Sequence, residues 1–140
     1  MRFAGYAALF DRADRGGDVV RRGAFAASLA RGGNVPLLWQ HAPGRPIGRI
    51  DYLQEDSRGL RVIGRLSDSA AGREAAALLK EGTVRGLSFG YRVRAAKGDP
   101  STGSGLRELT QVELVEVSLV TFPMQPKARV HALEEPAAAV

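Results

Sequence analysis

Leu114-Val115-Glu116-Val117-Ser118-Leu119-Val120 is the most apolar stretch of the chain, interrupted only by one glutamate and one serine. It lies inside the longest strand candidate, Leu106 to Phe122, which Pro123 ends. Apolar residues at both parities of a strand mean burial on both faces, or a strand curling through a barrel. This segment therefore predicts the centre of a small β structure.

The flanking sequence fits that centre. Leu87 to Ala95 reads as a strand, and 98–105 (Gly-Asp-Pro-Ser-Thr-Gly-Ser-Gly) as a flexible turn. Ala70 to Lys80 reads as a helix capped by Asp68 or Ser69, with Ala75, Leu78 and Leu79 as its apolar stripe and Gly82 as its stop. Ile47 to Leu53 and Leu60 to Leu66 read as a hairpin, with Ala42 to Pro46 before it as a loop. Val35 to Trp39 reads as a strand running into His41. Gly23 to Arg31 reads as a short helix, Val19-Val20 as an extended piece, and residues 2–10 as an aromatic-rich strand. A last short strand is expected over Ala128 to Leu133. The expected domain is residues 1–133, with 134–140 as a flexible C-terminal tail. About seven strands, two helices and no regular βαβ alternation give an α+β, mainly β class: a small closed or partly open β-barrel with flanking helices.

Composition narrows the chemistry. The 140 residues contain no cysteine, which excludes disulfides, zinc–thiolate sites, iron–sulfur clusters and a cysteine nucleophile. With two histidines, His41 and His131, a histidine-rich metal site is not expected, and no cofactor is. No apolar run approaches the roughly 20 residues of a membrane span, and the start lacks a secretory pattern, so no membrane role and a cytoplasmic location are expected. The net charge is +5, and arginine supplies 17 of the 20 basic residues, scattered along the chain without a like-charged block. A solvated basic surface is the expected reading, and nucleic acid is not the expected partner.

Three residues are candidates for chemistry. Ser88 sits in Gly86-Leu87-Ser88-Phe89-Gly90, the letters of the G-x-S-x-G serine hydrolase pattern. The context is not that of an α/β-hydrolase, because a strand follows the serine and the plausible histidine lies 47 residues before it. Glycines here permit close backbone approach, and N–H groups near Gly86, Phe89 and Gly90 are candidates to support an oxyanion. The alternative is a strand serine between packing glycines. His41 ends Leu37-Leu38-Trp39-Gln40-His41, where a rigid strand delivers it to a turn, and its usual pKa suits a general base; the alternative is an ordinary loop histidine. Glu116 stands in the apolar strand, so its carboxylate is either paired or outward-facing. A histidine beside it would complete a base–orienter pair; an exposed position beside a surface arginine is the alternative. Glu113, three residues away, is expected on the opposite face. Asp11, Asp14 and Asp18 lack EF-hand spacing and read as structural.

Six runs, taken in order, resemble the HK97-type prohead (procapsid) maturation serine proteases of tailed phages and gene transfer agents. They are Gly5-Tyr6-Ala7-Ala8-Leu9-Phe10, Gly17-Asp18-Val19-Val20 with Gly23-Ala24-Phe25, and Val35-Pro36-Leu37-Leu38-Trp39-Gln40-His41. They continue with Pro46-Ile47-Gly48-Arg49, Gly86-Leu87-Ser88-Phe89-Gly90-Tyr91, and Leu114 through Pro123. The resemblance implies a fold related to the herpesvirus assembly protease. It implies His41 as base, Ser88 as nucleophile and Glu116 as the third member. It further implies an endopeptidase that cleaves scaffold, or a scaffold segment of the major capsid protein, and itself, within the immature capsid in the host bacterial cytoplasm. Dimerisation follows by analogy with herpesvirus relatives. The rival readings are a non-catalytic capsid-assembly or scaffold-binding module of the same fold, and a basic nucleic-acid-binding barrel.

Overall fold

The computed structural model describes residues 1–98 and 106–135. In chain order its elements are β1 (Arg2–Leu9), β2 (Asp18–Val20), α1 (Ala26–Arg31), β3 (Leu37–Trp39), β4 (Ala42–Glu55), β5 (Gly59–Leu66), α2 (Ala70–Glu81), β6 (Gly86–Lys97), β7 (Arg107–Val120) and β8 (Val130–Glu134). The expected turn over 98–105 falls, after Gly98, outside the described residues, as does the expected tail after Glu135.

β7 is the hub. It pairs in antiparallel fashion with β6 along most of its length and in parallel with both β2 and β3. β3 continues into β4, then β5, β1 and β8, all antiparallel. The sheet is thus mixed and curls without closing. Its open side, between β8 and β6, is tied among the described residues by one bridge, Gly86 to Arg129 just before β8. That bridge is made by the Leu87 N–H donating to the Ala128 carbonyl and the Val130 N–H to that of Arg85, and the Tyr6 N–H donates to the Arg129 carbonyl beside it. Of the two barrel forms open at the level of sequence, the partly open one is observed.

The inner face carries the core. Phe3, Phe25, Leu37, Ile47, Leu60, Leu79, Leu87 and Leu119 are among its fully buried side chains. Ser69 caps α2 by accepting from the Gly72 N–H at 3.0 Å, and left-handed Gly82 (φ 83°) ends it. α1 is shorter than its apolar spacing predicts. Glu55 of β4 accepts from the N–H groups of Gly23 and Phe25, which fixes that segment as a turn before the helix begins. The acidic loop is structural: Asp14 closes the turn to Gly16 and Asp18, and Asp18 accepts from Arg107 Nε and Nη2 at 2.9 Å each and from the Tyr91 hydroxyl at 3.0 Å. Burial and this bond to Asp18 push the Tyr91 phenol up to about 12.

Two further expectations change. Ala42 to Pro46 belongs to β4, not to a loop, because Trp39 pairs with Ala42 across a two-residue turn. Glu113 and Glu116 lie on the same side of β7, opposite Arg92 and Gly90. The register gains one residue at Val115, and such a bulge cancels the alternation that separates positions three apart.

Phe25 is 0% exposed, edge-to-face with Phe89 at 5.2 Å and 6.4 Å from Phe10. Phe25→Ala is expected to cost about 3–5 kcal/mol of stability, read as a lowered denaturant midpoint at unchanged slope.

Candidate active site

The strand carrying Ser88 and the strand carrying Glu116 run side by side, with Ser88 opposite Ser118 and Gly90 opposite Glu116. Leu87 and Leu119, the neighbouring pair, point into the core. By alternation Ser88, Gly90, Glu116 and Ser118 share the outer face. Opposed residues in such a ladder have Cα atoms about 5.5 Å apart when hydrogen-bonded. Leu87 gives its N–H to Ala128, away from β7, so Ser88 and Ser118 are the hydrogen-bonded pair. Neither serine is open to solvent, at 5% and 0% exposed.

His41 reaches this face from the other side of β7. Gln40 (φ 52°) and His41 (φ 61°) are both left-handed, the signature of a type I′ hairpin turn, which ordinarily takes Asn-Gly. Two non-glycine residues there carry strain of order 1 kcal/mol each. Neighbouring bonds fix the turn. The Gln40 N–H donates to the Leu119 carbonyl at 2.9 Å, its side-chain amide donates to Thr121 Oγ1 at 2.7 Å, and its Oε1 accepts from the Thr121 N–H at 3.1 Å. The turn folds the imidazole back over β7, where His41 Nδ1 meets Glu116 Oε1 in a short hydrogen bond.

Glu116 is 7% exposed, while the His41 side chain is 42% exposed. The Glu116 carboxylate raises the His41 pKa above its ordinary value, chiefly through the hydrogen bond, with partial burial opposing it. With Nδ1 held by Glu116, Nε2 is the ring nitrogen left for a substrate or a serine.

Ser118 links these groups. Its hydroxyl donates to Glu116 Oε2 at 2.5 Å and accepts the His41 backbone N–H at 3.1 Å. Sequence reasoning passed over it, although the signal was available: Glu116 and Ser118 are the two polar residues of an apolar strand, and spacing by two puts them on one face. Ser118→Ala leaves a buried carboxylate oxygen and a backbone N–H without partners. Each such loss costs about 1–3 kcal/mol, so a lowered melting temperature is the expected outcome, measured by a thermal melt beside the wild-type chain.

The glycines divide in role. A Cβ on Gly90 would stand 2.5 Å from Glu116 Oε1, and one on Gly86 would stand 2.7 Å from Pro123 Cδ and the Val120 carbonyl. Both are clearances: Gly90 makes room for the carboxylate. The Phe89 N–H points away from β7, on the side where the bonding to residues 128–130 has ended, so it is the donor next to Ser88 that an oxyanion can use. Beside His41 and Glu116 an apolar groove of about 650 Å³ opens, walled by Pro36, Leu38, Pro43, Pro46, Tyr91 and Val115. Glu113 takes no part, being held by Arg92 and Arg94, and His131 lies elsewhere, against Arg61.

A model of the caudovirus prohead serine protease family matches residues 1–140. The chain is 35% identical over 136 residues to the prohead protease of Enterobacteria phage HK97, covering 94% of this chain and 60% of that protein. It is 32% identical over 109 residues to a capsid polyprotein of Pseudomonas phage PAJU2, covering 71% and 16%. It is 31% identical over 113 residues to the prohead protease of Escherichia phage T5, covering 79% and 52%. It thus spans at most 60% of these relatives' lengths. Among solved structures, the capsid assembly protease of bacteriophage T4 has a TM-score of 0.66 at 12% identity, covering 85% of this chain and 80% of that one. The varicella-zoster virus protease has a TM-score of 0.54 at 16% identity, covering 92% and 62%. At these identities the likeness is one of fold.

Proposed function

The chain belongs to the caudovirus prohead serine protease family, and we propose that it is a serine endopeptidase of capsid maturation, with Ser88, His41 and Glu116 as its catalytic groups. In this reading Ser88 Oγ attacks the scissile carbonyl. His41 Nε2 takes the hydroxyl proton and returns it to the leaving amine. Glu116 holds the imidazole by Nδ1 and stabilises the imidazolium formed on the way. The Phe89 N–H donates to the tetrahedral oxyanion, and water then releases the acyl group by the same steps in reverse.

The observation that carries the reading is the Ser118 link. One fully buried hydroxyl bonds both the carboxylate and the histidine backbone, and Ser88 stands directly opposite it across the ladder. The apolar groove beside His41 offers a place for substrate side chains, and its proline walls present few backbone donors to compete with an extended peptide. We assign as substrates the scaffold or a scaffold segment of the major capsid protein, and the protease itself. Membership of a prohead protease family and likeness to a capsid polyprotein support this. The setting is the immature capsid in the host cytoplasm, and the working form a homodimer, by analogy with the herpesvirus fold.

Co-expression with the coat and scaffold proteins of the same genome tests the proposal. Shortened coat or scaffold with the wild-type chain, and full-length protein with Ser88→Ala, is the expected pair of results. Processing at an undiminished rate by Ser88→Ala overturns it.

A further inference from the structure

Outside the candidate active site, a second cleft of about 580 Å³ lies between the end of β1, the β4–β5 turn and the start of β8. Arg12, Arg58, Arg61, Lys127, Arg129 and His131 stand around it. Among the described residues, none of these four arginines nor Lys127 has a carboxylate within ion-pair distance. The two carboxylates at hand are committed elsewhere. Asp11 pairs with Arg21 at 2.8 Å. Asp56 accepts from the Tyr6 hydroxyl at 2.5 Å and from the N–H groups of Arg58 and Gly59. Elsewhere nine arginines are paired with carboxylates, among them Arg65 and Arg49 with Asp51 and Arg107 with Asp18, and among the described residues the others without a pair, Arg15, Arg22, Arg31 and Arg85, do not line this cleft. A concave site focuses the field of like charges, and five unmatched cations converging there favour an anionic guest.

We propose that this cleft is a docking site for an acidic peptide segment of a partner protein. The guanidinium fork matches a carboxylate in two parallel hydrogen bonds. Two of the forks are held in place beforehand. Arg58 and Arg61 stand over the Tyr6 ring at 5.3 and 5.7 Å, and Arg61 Nη1 donates to His131 Nε2 at 2.8 Å. Groups already held lose less freedom when the guest arrives. The same features disfavour nucleic acid. Tyr6 and Phe10, the phenyl rings lining the cleft, are only 8% and 6% exposed, and Tyr6 is covered by arginines, so they offer no face to a base. The cations converge on a hollow and do not lie in the stripe that a duplex backbone requires.

The position of the cleft gives docking a consequence. Arg129 is bridged to Gly86, two residues before Ser88, and the Leu87 N–H donates to the Ala128 carbonyl at 2.9 Å. Strands so joined run about 4.8 Å apart. A partner held by its acidic segment is kept at high local concentration beside the strand of Ser88. This consequence, unlike the docking itself, rests on the peptidase reading.

The test uses the full chain carrying Ser88→Ala, so that binding is read without cleavage, and a fluorescently labelled glutamate-rich peptide with a glutamine-for-glutamate counterpart. Fluorescence anisotropy should show binding of the glutamate peptide alone, weakening as salt rises. Arg58→Ala and Arg129→Ala, both exposed positions, should each weaken it roughly tenfold, the scale of one charge-assisted hydrogen bond. Arg73→Ala, which lies on α2 away from the cleft, should leave it unchanged. Circular dichroism checks that each variant is folded. The proposal is overturned if the glutamate peptide does not bind, or if both cleft substitutions leave its affinity unchanged. It is equally overturned if duplex DNA binds more tightly and loses affinity with the same substitutions. A wild-type chain that processes no capsid protein would sink the peptidase reading and leave this result intact.

Discussion

Ser88→Ala is expected to cut peptide-bond cleavage by roughly 10⁶-fold, the scale seen when a triad nucleophile is removed, while the fold survives. The two halves of that expectation come from different features. The loss of rate follows from chemistry, since in the proposed mechanism Ser88 Oγ is the atom that attacks the carbonyl. Ser118 cannot replace it, because its proton is given to Glu116 Oε2 at 2.5 Å and it is 0% exposed, so it cannot approach a substrate carbonyl. The tolerance of the fold follows from packing. Ser88 sits between Gly86 and Gly90 on the outer face, opposite Ser118, and alanine keeps its Cβ while deleting one oxygen. The stability change should therefore stay within the range of a single modest hydrogen bond, about 1 kcal/mol. His41→Ala should lose nearly as much rate, and the double variant no more than the worse single one, because a nucleophile and its base act as a unit. Single-turnover cleavage of a peptide spanning a mapped processing site, with a thermal melt alongside, measures both halves. A variant without Oγ that keeps even a hundredth of the rate would remove Ser88 from the mechanism.

How far the sequence leads can be seen residue by residue. β7 is legible because its apolar residues fall at both parities, and burial on both sides follows from that alone. Ser88 stands out through its flanking glycines, His41 through the scarcity of histidines, and Glu116 as a lone carboxylate among apolar neighbours. What joins them is not legible. The His41 turn takes two left-handed residues that are neither Asn nor Gly, so no turn signal marks it, and Pro43, Gly44 and Pro46 make the following strand read as a loop. The strand forms there because tertiary pairing with β3 outweighs local propensity. The bulge at Val115 is one residue of register, and nothing in an apolar run marks where a register slips. It places Glu113 and Glu116 on one side and leaves the choice between them to distance: Glu113 is taken by Arg92 and Arg94, and Glu116 by His41. The basic cleft is illegible for a similar reason. Arg12, Arg58, Arg61, Lys127 and Arg129 are scattered over more than a hundred positions, and only the β1–β5 pairing and the tie at Arg129 bring them to one hollow.

Glu116→Gln should lower the rate by about 10⁴-fold, as amide replacement of a triad carboxylate does, and should also change its dependence on pH. In the proposed mechanism His41 acts as base only when it is neutral. Glu116 raises its pKa above the ordinary 6.5, so kcat/KM should climb with pH through a value above that and then level. With glutamine in place, the charge and the strong acceptor are gone and partial burial remains, which favours the neutral ring. The acid limb should therefore move to lower pH even as the plateau collapses. Stability carries the opposite sign. A histidine whose folded pKa lies above its unfolded one stabilises the fold fully below the unfolded value, and this contribution fades as pH rises through the folded value. On the proposed mechanism the His41–Glu116 pair is thus most stabilising where the site should be least active, because the neutral base forms as part of that bond is given up. Glu116→Gln should flatten this component of the stability profile as it shifts the rate profile. An acid limb unmoved by Glu116→Gln would show that the carboxylate does not hold the imidazole during the reaction, whatever the loss in rate.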